Sequence, residues 1–104
     1  MIKVSALYPN GEGHTFDMEY YCNTHMPLVK LHSGQALKNF TVDQGLAGGT
    51  PGSKPEYLAM AHMFFDSMED FLSSFVPHIS VFVADIPNYT NITPVVQVSE
   101  VIRN

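Results

Sequence analysis

Apolar and polar residues alternate in three stretches of the chain, a period-two pattern that is typical of β-strands, and a fourth stretch is a short apolar run that also suits a strand. The predicted strands cover residues 2–8, 37–44, 57–65 and 94–102. In the first strand, Val4, Ala6 and Tyr8 share one face, whereas Ser5 and Leu7 share the other. The third strand is apolar on both of its faces, which predicts that both are buried.

A first helix is predicted between the first two strands. Asp17 is a suitable N-cap, and Phe16 and Tyr21 flank it with the spacing of a hydrophobic staple. Pro27 lacks the N–H that a regular helix requires, so the sequence predicts a kink or a local opening near His25. Residues three and four apart place one stripe on the inner side of this helix: Tyr21, His25, Leu28 and His32.

A second helix follows the third strand. It begins at Ser67, where the segment up to Asp70 resembles a capping box, and Pro77 suits the first residue of a new helical turn. Its apolar stripe ends at Pro87. The element order is therefore strand, helix, strand, strand, helix, strand. This order predicts a ferredoxin-like α+β fold, a four-stranded antiparallel sheet with helices on one face, in a single domain over residues 1–104.

The sheet face that the helices leave open is expected to be partly apolar. In the third strand it carries Leu58, Met60, His62 and Phe64. Only 14% of the 104 residues are charged, against about 25% in a typical soluble domain. A bare sheet face of this character is unusual in a monomer. We therefore expect a homodimer in which two sheets pack face to face and form a dimeric α/β barrel.

Composition and charge exclude several classes of partner. The formal net charge is −5 and no basic cluster occurs, which argues against nucleic acid and anionic membranes as partners. No apolar run is long enough to cross a bilayer. The first residues lack the apolar core of a signal peptide, so a cytoplasmic location is expected.

The sequence also lacks motifs for metals and phosphate-bearing cofactors. The single cysteine, Cys22, excludes an intramolecular disulfide and a cysteine-based zinc site, and its thiol is expected to be buried and inert. His25 and His32 are separated by about 10 Å along a helix, too far to share one ion. No Gly-Lys-Ser/Thr sequence occurs that would form a phosphate-binding loop. We expect neither a metal site nor a cofactor.

His25 is the first candidate for chemistry. It precedes Pro27 by two residues and lies beside Tyr21. A partly buried imidazole with aromatic neighbours is suited to proton transfer near neutral pH. The alternative is a structural histidine that caps a carbonyl freed at the kink, and spacing alone favours this alternative.

His62 is the second candidate, because it is the one strongly polar side chain on its strand face. A polar group among apolar residues must find a partner or contact a ligand. Ser5, Gln97 and Ser99 are placed to supply that partner if the neighbouring strands align. A buried polar network and the lining of a pocket are equally compatible with this pattern.

Several segments resemble the EthD family, named for a protein needed in ethyl tert-butyl ether degradation. The most specific are Tyr20-Tyr21 followed by His25-Met26-Pro27, and the run Asp85-Ile86-Pro87-Asn88-Tyr89-Thr90. The remaining segments that resemble the family are residues 7–10, 16–29, 45–49, 63–67, 84–91 and 94–101. Together they extend over nearly the whole chain.

The resemblance implies a dimeric α/β barrel. Relatives with that fold include cofactor-independent monooxygenases, methylmuconolactone isomerase-like enzymes, and fungal dehydratases or cyclases that act on polyketides. The histidine that precedes the proline in the family matches His25, which favours the catalytic interpretation of this residue over the structural one. A shared fold does not fix a reaction.

The first functional hypothesis is an enzyme that binds an apolar or aromatic metabolite and acts without a cofactor. His25 would serve as general acid/base in isomerisation, dehydration, cyclisation or oxidation. The residues expected to bind the substrate are Ser5, Tyr8, Tyr21, His62 and Phe64. The second hypothesis is a non-enzymatic accessory protein that carries a hydrophobic compound for an oxygenase. The third is a structural dimer with a filled core and no pocket.

Overall fold

The computed structural model describes all 104 residues, and its strands follow the predicted order. They are β1 (Ile2–Pro9), β2 (Asn39–Gln44), β3 (Tyr57–Phe65) and β4 (Val95–Glu100). Every neighbouring pair is antiparallel, and the sheet order is β2-β3-β1-β4. With two helical segments on one face, this is the ferredoxin-like α+β fold that the sequence predicted.

The first helical segment contains a local opening where one was predicted. It consists of α1 (Met18–Tyr20), a π-helical turn (Tyr21–His25) and α2 (Met26–Ser33). The N–H of Met26 donates to the carbonyl of Tyr21, five residues back. Since Pro27 has no N–H, the α-helical bond that would follow cannot form, and the wider turn is tolerated at this point.

The π-helical turn changes which residues of this segment face inward. The buried positions are Tyr21, His25, Met26, Val29 and Ser33. The predicted stripe was therefore right for Tyr21 and His25 but wrong beyond them, where Leu28 and His32 are only half-buried. A π-helical turn accommodates one extra residue, which shifts the inward stripe by one position.

Helix caps account for where the helices begin and end. The Oδ1 atom of Asp17 accepts a hydrogen bond from the N–H of Tyr20 at 3.0 Å, as expected of the predicted N-cap. The Oγ atom of Ser67 accepts one from the N–H of Asp70 at 3.1 Å. Gly34 ends α2 with a φ of 65°, a conformation that favours glycine.

The second helical segment is divided by prolines. It consists of α3 (Met68–Ser74), a 3₁₀ turn that contains Pro77, α4 (Ile79–Asp85), and a second 3₁₀ turn that contains Pro87. Each proline takes an early position of its turn, where no N–H is required. No helix in the structure combines the length and the apolar character needed to span a membrane.

The core lies between the helices and one face of the sheet, which we call the covered face. Val4, Ala59, Ala61 and Phe65 on this face are fully buried. The opposite face, which we call the open face, carries Leu7, Leu58, Met60 and Phe64, all only half-buried. The expectation that both faces of β3 are buried was therefore wrong for this chain alone, because no helix packs on the open face.

Candidate functional site

A cavity of about 240 Å³ lies between the covered face of the sheet and the two helical segments. Of its 17 lining residues 15 are hydrophobic, and the other two are His25 and Pro94. The lining residues come from three of the four helices (α2, α3 and α4), from the π-helical turn, and from three of the four strands. His25 is therefore the one readily titratable group in a largely apolar enclosure.

The imidazole of His25 is held in one orientation. The residue is 5% exposed, and its ring stacks on that of Tyr21 with the centroids 5.1 Å apart and the planes 16° from parallel. Its Nδ1 atom lies 2.9 Å from the Oδ2 atom of Asp85. The other ring nitrogen, Nε2, makes no hydrogen bond to the protein, and the residue lines the cavity.

Asp85 is itself anchored by two further hydrogen bonds. Its Oδ1 atom accepts from the hydroxyl of Tyr20 at 2.7 Å and from the Nδ2 atom of Asn88 at 3.0 Å. Burial alone would raise the pKa of Asp85, but the hydrogen bonds from Asn88, His25 and Tyr20 outweigh burial and lower the pKa below its ordinary value. Asp85 is therefore a carboxylate at neutral pH.

Burial also determines the charge of His25. It lowers the pKa of the imidazole, and the hydrogen bond and negative charge of Asp85 offset this lowering only in part. His25 is therefore neutral at pH 7. Because the ionised Asp85 can only accept, the single ring proton belongs on Nδ1, and Nε2 presents a lone pair to the cavity. This is the arrangement of a general base with an orienting carboxylate.

Three tyrosines complete the polar end of the cavity. The hydroxyls of Tyr8 and Tyr89 are 2.8 Å apart, and the ring of Tyr21 lies 4.9 Å from that of Tyr89 and 5.6 Å from that of Tyr8. Burial raises the pKa of all three, so that each is a neutral phenol at physiological pH. Since Tyr8 and Tyr89 share one hydrogen bond, one O–H of the pair is left to donate elsewhere.

The structure separates the predicted site residues into two groups. Tyr8, Tyr21 and His25 all line the cavity. Ser5, His62 and Phe64 lie on the open face, across the sheet from it.

On the open face, the Oγ atom of Ser5 lies 2.8 Å from the Nδ1 atom of His62, so Ser5 is the partner that His62 was expected to need. Gln97 and Ser99, the other two candidates for that role, are bonded to each other at 3.1 Å.

Asp85, Tyr89 and Tyr20 belong to this site but were not singled out as site residues. One signal was available for Asp85, which follows the apolar stripe of α4 and precedes Pro87. A carboxylate at the end of an apolar helix stripe is placed to contact the neighbouring helix. Cys22, which was expected to be buried, is exposed on the outer side of the π-helical turn.

No three His, Cys, Asp or Glu residues lie close enough together to hold a metal ion. The rings of His32 and His78 are 5.0 Å apart, but no third ligand accompanies them.

The chain is similar to one protein family and to several solved structures. The sequence model of the EthD domain family matches residues 10–93. An EthD-like protein from Ralstonia eutropha JMP134 is 45% identical with a TM-score of 0.91, and the match covers 98% of this chain and 92% of that one. A comparison with curated proteins gave no match.

Two more distant structures share the fold. An EthD family protein from Bacillus halodurans C-125 is 23% identical with a TM-score of 0.71, covering 96% of this chain and 97% of that one. The Arabidopsis thaliana protein At3g17210 is 14% identical with a TM-score of 0.68, covering 100% of this chain and 98% of that one.

Proposed function

This chain belongs to the EthD family, and on that premise we propose that it catalyses cofactor-independent proton transfer on an apolar or aromatic metabolite bound in the cavity. The observation that carries the proposal is the state of His25. Its Nδ1–H is fixed on Asp85 at 2.9 Å, while Nε2 lacks a protein partner in a cavity whose other polar groups are three tyrosine hydroxyls.

The proposed reaction begins with removal of a proton from a carbon next to a carbonyl group of the ligand. The Nε2 lone pair takes that proton, and the electron pair of the broken C–H bond moves onto the carbonyl oxygen. The carboxylate of Asp85 stabilises the imidazolium that forms, and the free O–H of the Tyr8–Tyr89 pair donates to the developing oxyanion.

The imidazolium then returns its proton. Return to a different carbon is isomerisation, and return to a departing hydroxyl is dehydration. If the enolate carbon attacks a second carbonyl in the same ligand and the proton goes to the new alkoxide, the result is cyclisation. Each outcome leaves His25 neutral again, so none of them needs an added reductant or oxidant.

The second candidate function is binding without turnover, as in an accessory protein that carries a hydrophobic compound for a separate oxygenase. The apolar character of the lining favours it, since all lining residues except His25 and three tyrosines offer only packing to a ligand. The carrier differs from the enzyme in one requirement: binding alone does not need the Nε2 lone pair of His25. A dimer with a filled core and no pocket does not fit a cavity of about 240 Å³ beside His25.

We further propose that the working unit is a homodimer in which the open faces of two sheets pack together. Leu58, Met60 and Phe64 support this, since they stay half-buried on a face that no helix covers. A second copy would bury them, and the low charged fraction of the chain, 14%, suits a protein with such an interface.

Hydrogen–deuterium exchange at carbon separates the two candidate functions. The protein is incubated in D₂O with 2-tetralone, an aromatic ketone with acidic C–H groups, and loss of the C1 proton signals is followed by NMR. We expect the wild type to accelerate the exchange and His25→Ala to abolish the acceleration while 2-tetralone still binds. Binding of 2-tetralone without accelerated exchange would favour the carrier. Ser33→Ala is a matched control, because Ser33 is buried on the same helical segment but does not line the cavity.

A further inference from the structure

The cavity has a deep end and a mouth, which differ in exposure. Val4 and Met26 at the deep end are fully buried. Val83 on α4 is 55% exposed, Val96 on β4 is 58% exposed, and both also line the cavity. Ile79, one turn before Val83, is a further exposed lining residue. The cavity therefore opens between α4 and the edge strand β4.

The polar and apolar groups are sorted along the same direction. His25, Tyr8 and Tyr89 are buried, so the polar groups of the lining lie at the deep end. The mouth is bordered by aliphatic side chains, and no Lys, Arg, Asp or Glu lines any part of the cavity. A ligand meets hydrogen-bonding groups at its inner end and only apolar contacts on the way out.

We infer that the ligand is an uncharged, elongated molecule with an oxygen function at its inner end and an alkyl tail that leaves through the mouth across Val83 and Val96. This inference rests on the proposed function in one respect, since it takes the cavity as the binding site. It adds the charge of the ligand, its orientation and the path of its tail.

Size supports a tail that reaches the mouth. A cavity of about 150 Å³ accommodates benzene, so about 240 Å³ holds one ring with a short substituent. Any longer chain must pass between α4 and β4. Exposed valines at that point give the tail an apolar path instead of a polar barrier.

The absence of charge in the lining supports an uncharged ligand. A buried carboxylate needs a cation or several donors to offset its desolvation. The cavity offers no cation, because its one basic group is the neutral imidazole of His25, whose Nδ1–H is already committed to Asp85. A single carbonyl or hydroxyl oxygen matches the groups that remain, which are the Nε2 atom and the free O–H of the Tyr8–Tyr89 pair.

Calorimetric titration with a homologous series tests the inference. The probes are phenol, 4-ethylphenol, 4-butylphenol and 4-hexylphenol, with 4-butylbenzoate as the charged comparison. We expect one site per chain and an affinity that rises by about three- to fourfold for each enclosed methylene, with smaller gains at the mouth. 4-Butylbenzoate is expected to bind at least about tenfold more weakly than 4-butylphenol.

Two valines of α4 provide a matched pair of variants. Val83 lines the cavity whereas Val81 does not, and both are exposed, so threonine at either position leaves the fold intact. Val83→Thr is expected to weaken 4-hexylphenol about two- to fourfold and to leave phenol unchanged. Val81→Thr is expected to change neither.

The outcomes distinguish failure of this inference from failure of the proposed function. If all four phenols bind equally well, or if the two threonine variants behave alike, the tail does not pass the mouth and the inference is overturned, while ligand binding in the cavity stands. If 4-butylbenzoate binds as tightly as 4-butylphenol, the uncharged class is wrong. If no phenol binds and 2-tetralone does not bind either, the cavity is not a binding site and the proposed function fails with it.

Discussion

A histidine lies beside a carboxylate on each side of the sheet, but only one of the two histidines lines the cavity. On the covered side, His25 of the π-helical turn uses Nδ1 to bond Asp85, and its Nε2 makes no hydrogen bond to the protein. On the open face, Ser5 engages Nδ1 of His62 at 2.8 Å, and Asp43 lies 3.4 Å from Nε2. The contact with Asp43 is not a hydrogen bond, so Nε2 of His62 is also unbonded, but His62 does not line the cavity.

Enclosure is the second difference between the faces. Asp85 is largely buried and held by three hydrogen bonds, whereas the side chain of Asp43 is 56% exposed. Water competes with the interactions of an exposed carboxylate and weakens them. The comparison teaches that a histidine beside a carboxylate is a candidate for chemistry when it also lines a cavity.

The largest expected effect tests which face holds the core. Phe65→Ala removes a fully buried ring from the covered face and should lower the free energy of unfolding by about 3–5 kcal/mol. Phe64→Ala, on the open face, should cost only about 1 kcal/mol in the isolated subunit, because its ring is half-exposed there. Urea unfolding of both variants measures the difference. Equal costs at micromolar concentration would mean that a second chain covers the open face.

The next effect compares the two carboxylates. An asparagine at position 85 can donate to Nδ1, which moves the ring proton to Nε2 and removes the base. Asp85→Asn should therefore slow the exchange of 2-tetralone protons by about 100-fold or more. Asp43→Asn should leave the rate unchanged. If both substitutions slow exchange equally, the distinction between the two histidines is lost.

A charge on the open face tests the proposed dimer. Met60→Glu places a carboxylate where two apolar sheets would meet, and burying it unpaired is costly. The dimer dissociation constant should rise by about 10- to 100-fold, as measured by sedimentation equilibrium. Leu31→Glu is the control, because Leu31 is exposed on α2, away from the open face. A wild-type chain that is monomeric at micromolar concentration would contradict the dimer directly.

The smallest effect is a shift in pH dependence. Because burial lowers the pKa of His25, the imidazole should stay an active base to a pH below its ordinary 6.5. The folded state binds this proton less readily than the unfolded state does. His25 therefore contributes stability that is present above pH 6.5 and is lost as the pH falls through the lower folded pKa. An NMR titration of the ring measures the midpoint, and a value above 6.5 would show that Asp85 outweighs burial.

The fold was predictable because its signals are local. Period-two alternation located three strands and a short apolar run located β3, and the side chains of Asp17 and Ser67 marked helix starts that the hydrogen bonds confirm. The inward stripe beyond His25 was not predictable in the same way. Pro27 indicates an opening, but periodicity does not tell whether the helix bends or accepts an extra residue. In the structure the helix accepts an extra residue, in the π-helical turn.

The site was predictable only where its members are close in sequence. Tyr21 and His25 lie one turn apart, and the proline after them points to that turn. Asp85 is 60 residues from its partner His25, and Tyr89 is 81 residues from its partner Tyr8, so no local sequence pattern connects these pairs. Period two told which residues share the face of His62. It did not tell on which side of the sheet a cavity would form.

The cluster of tyrosines around the cavity gives the protein an optical property. The chain contains no tryptophan and five tyrosines, so its ultraviolet emission comes from phenol rings alone. Three of the five, Tyr8, Tyr21 and Tyr89, line the cavity. A molecule that enters displaces solvent from these rings and competes for their hydroxyls, which changes their quantum yield. Occupancy of the cavity can therefore be followed in the unmodified protein by its own emission near 300 nm, without a label.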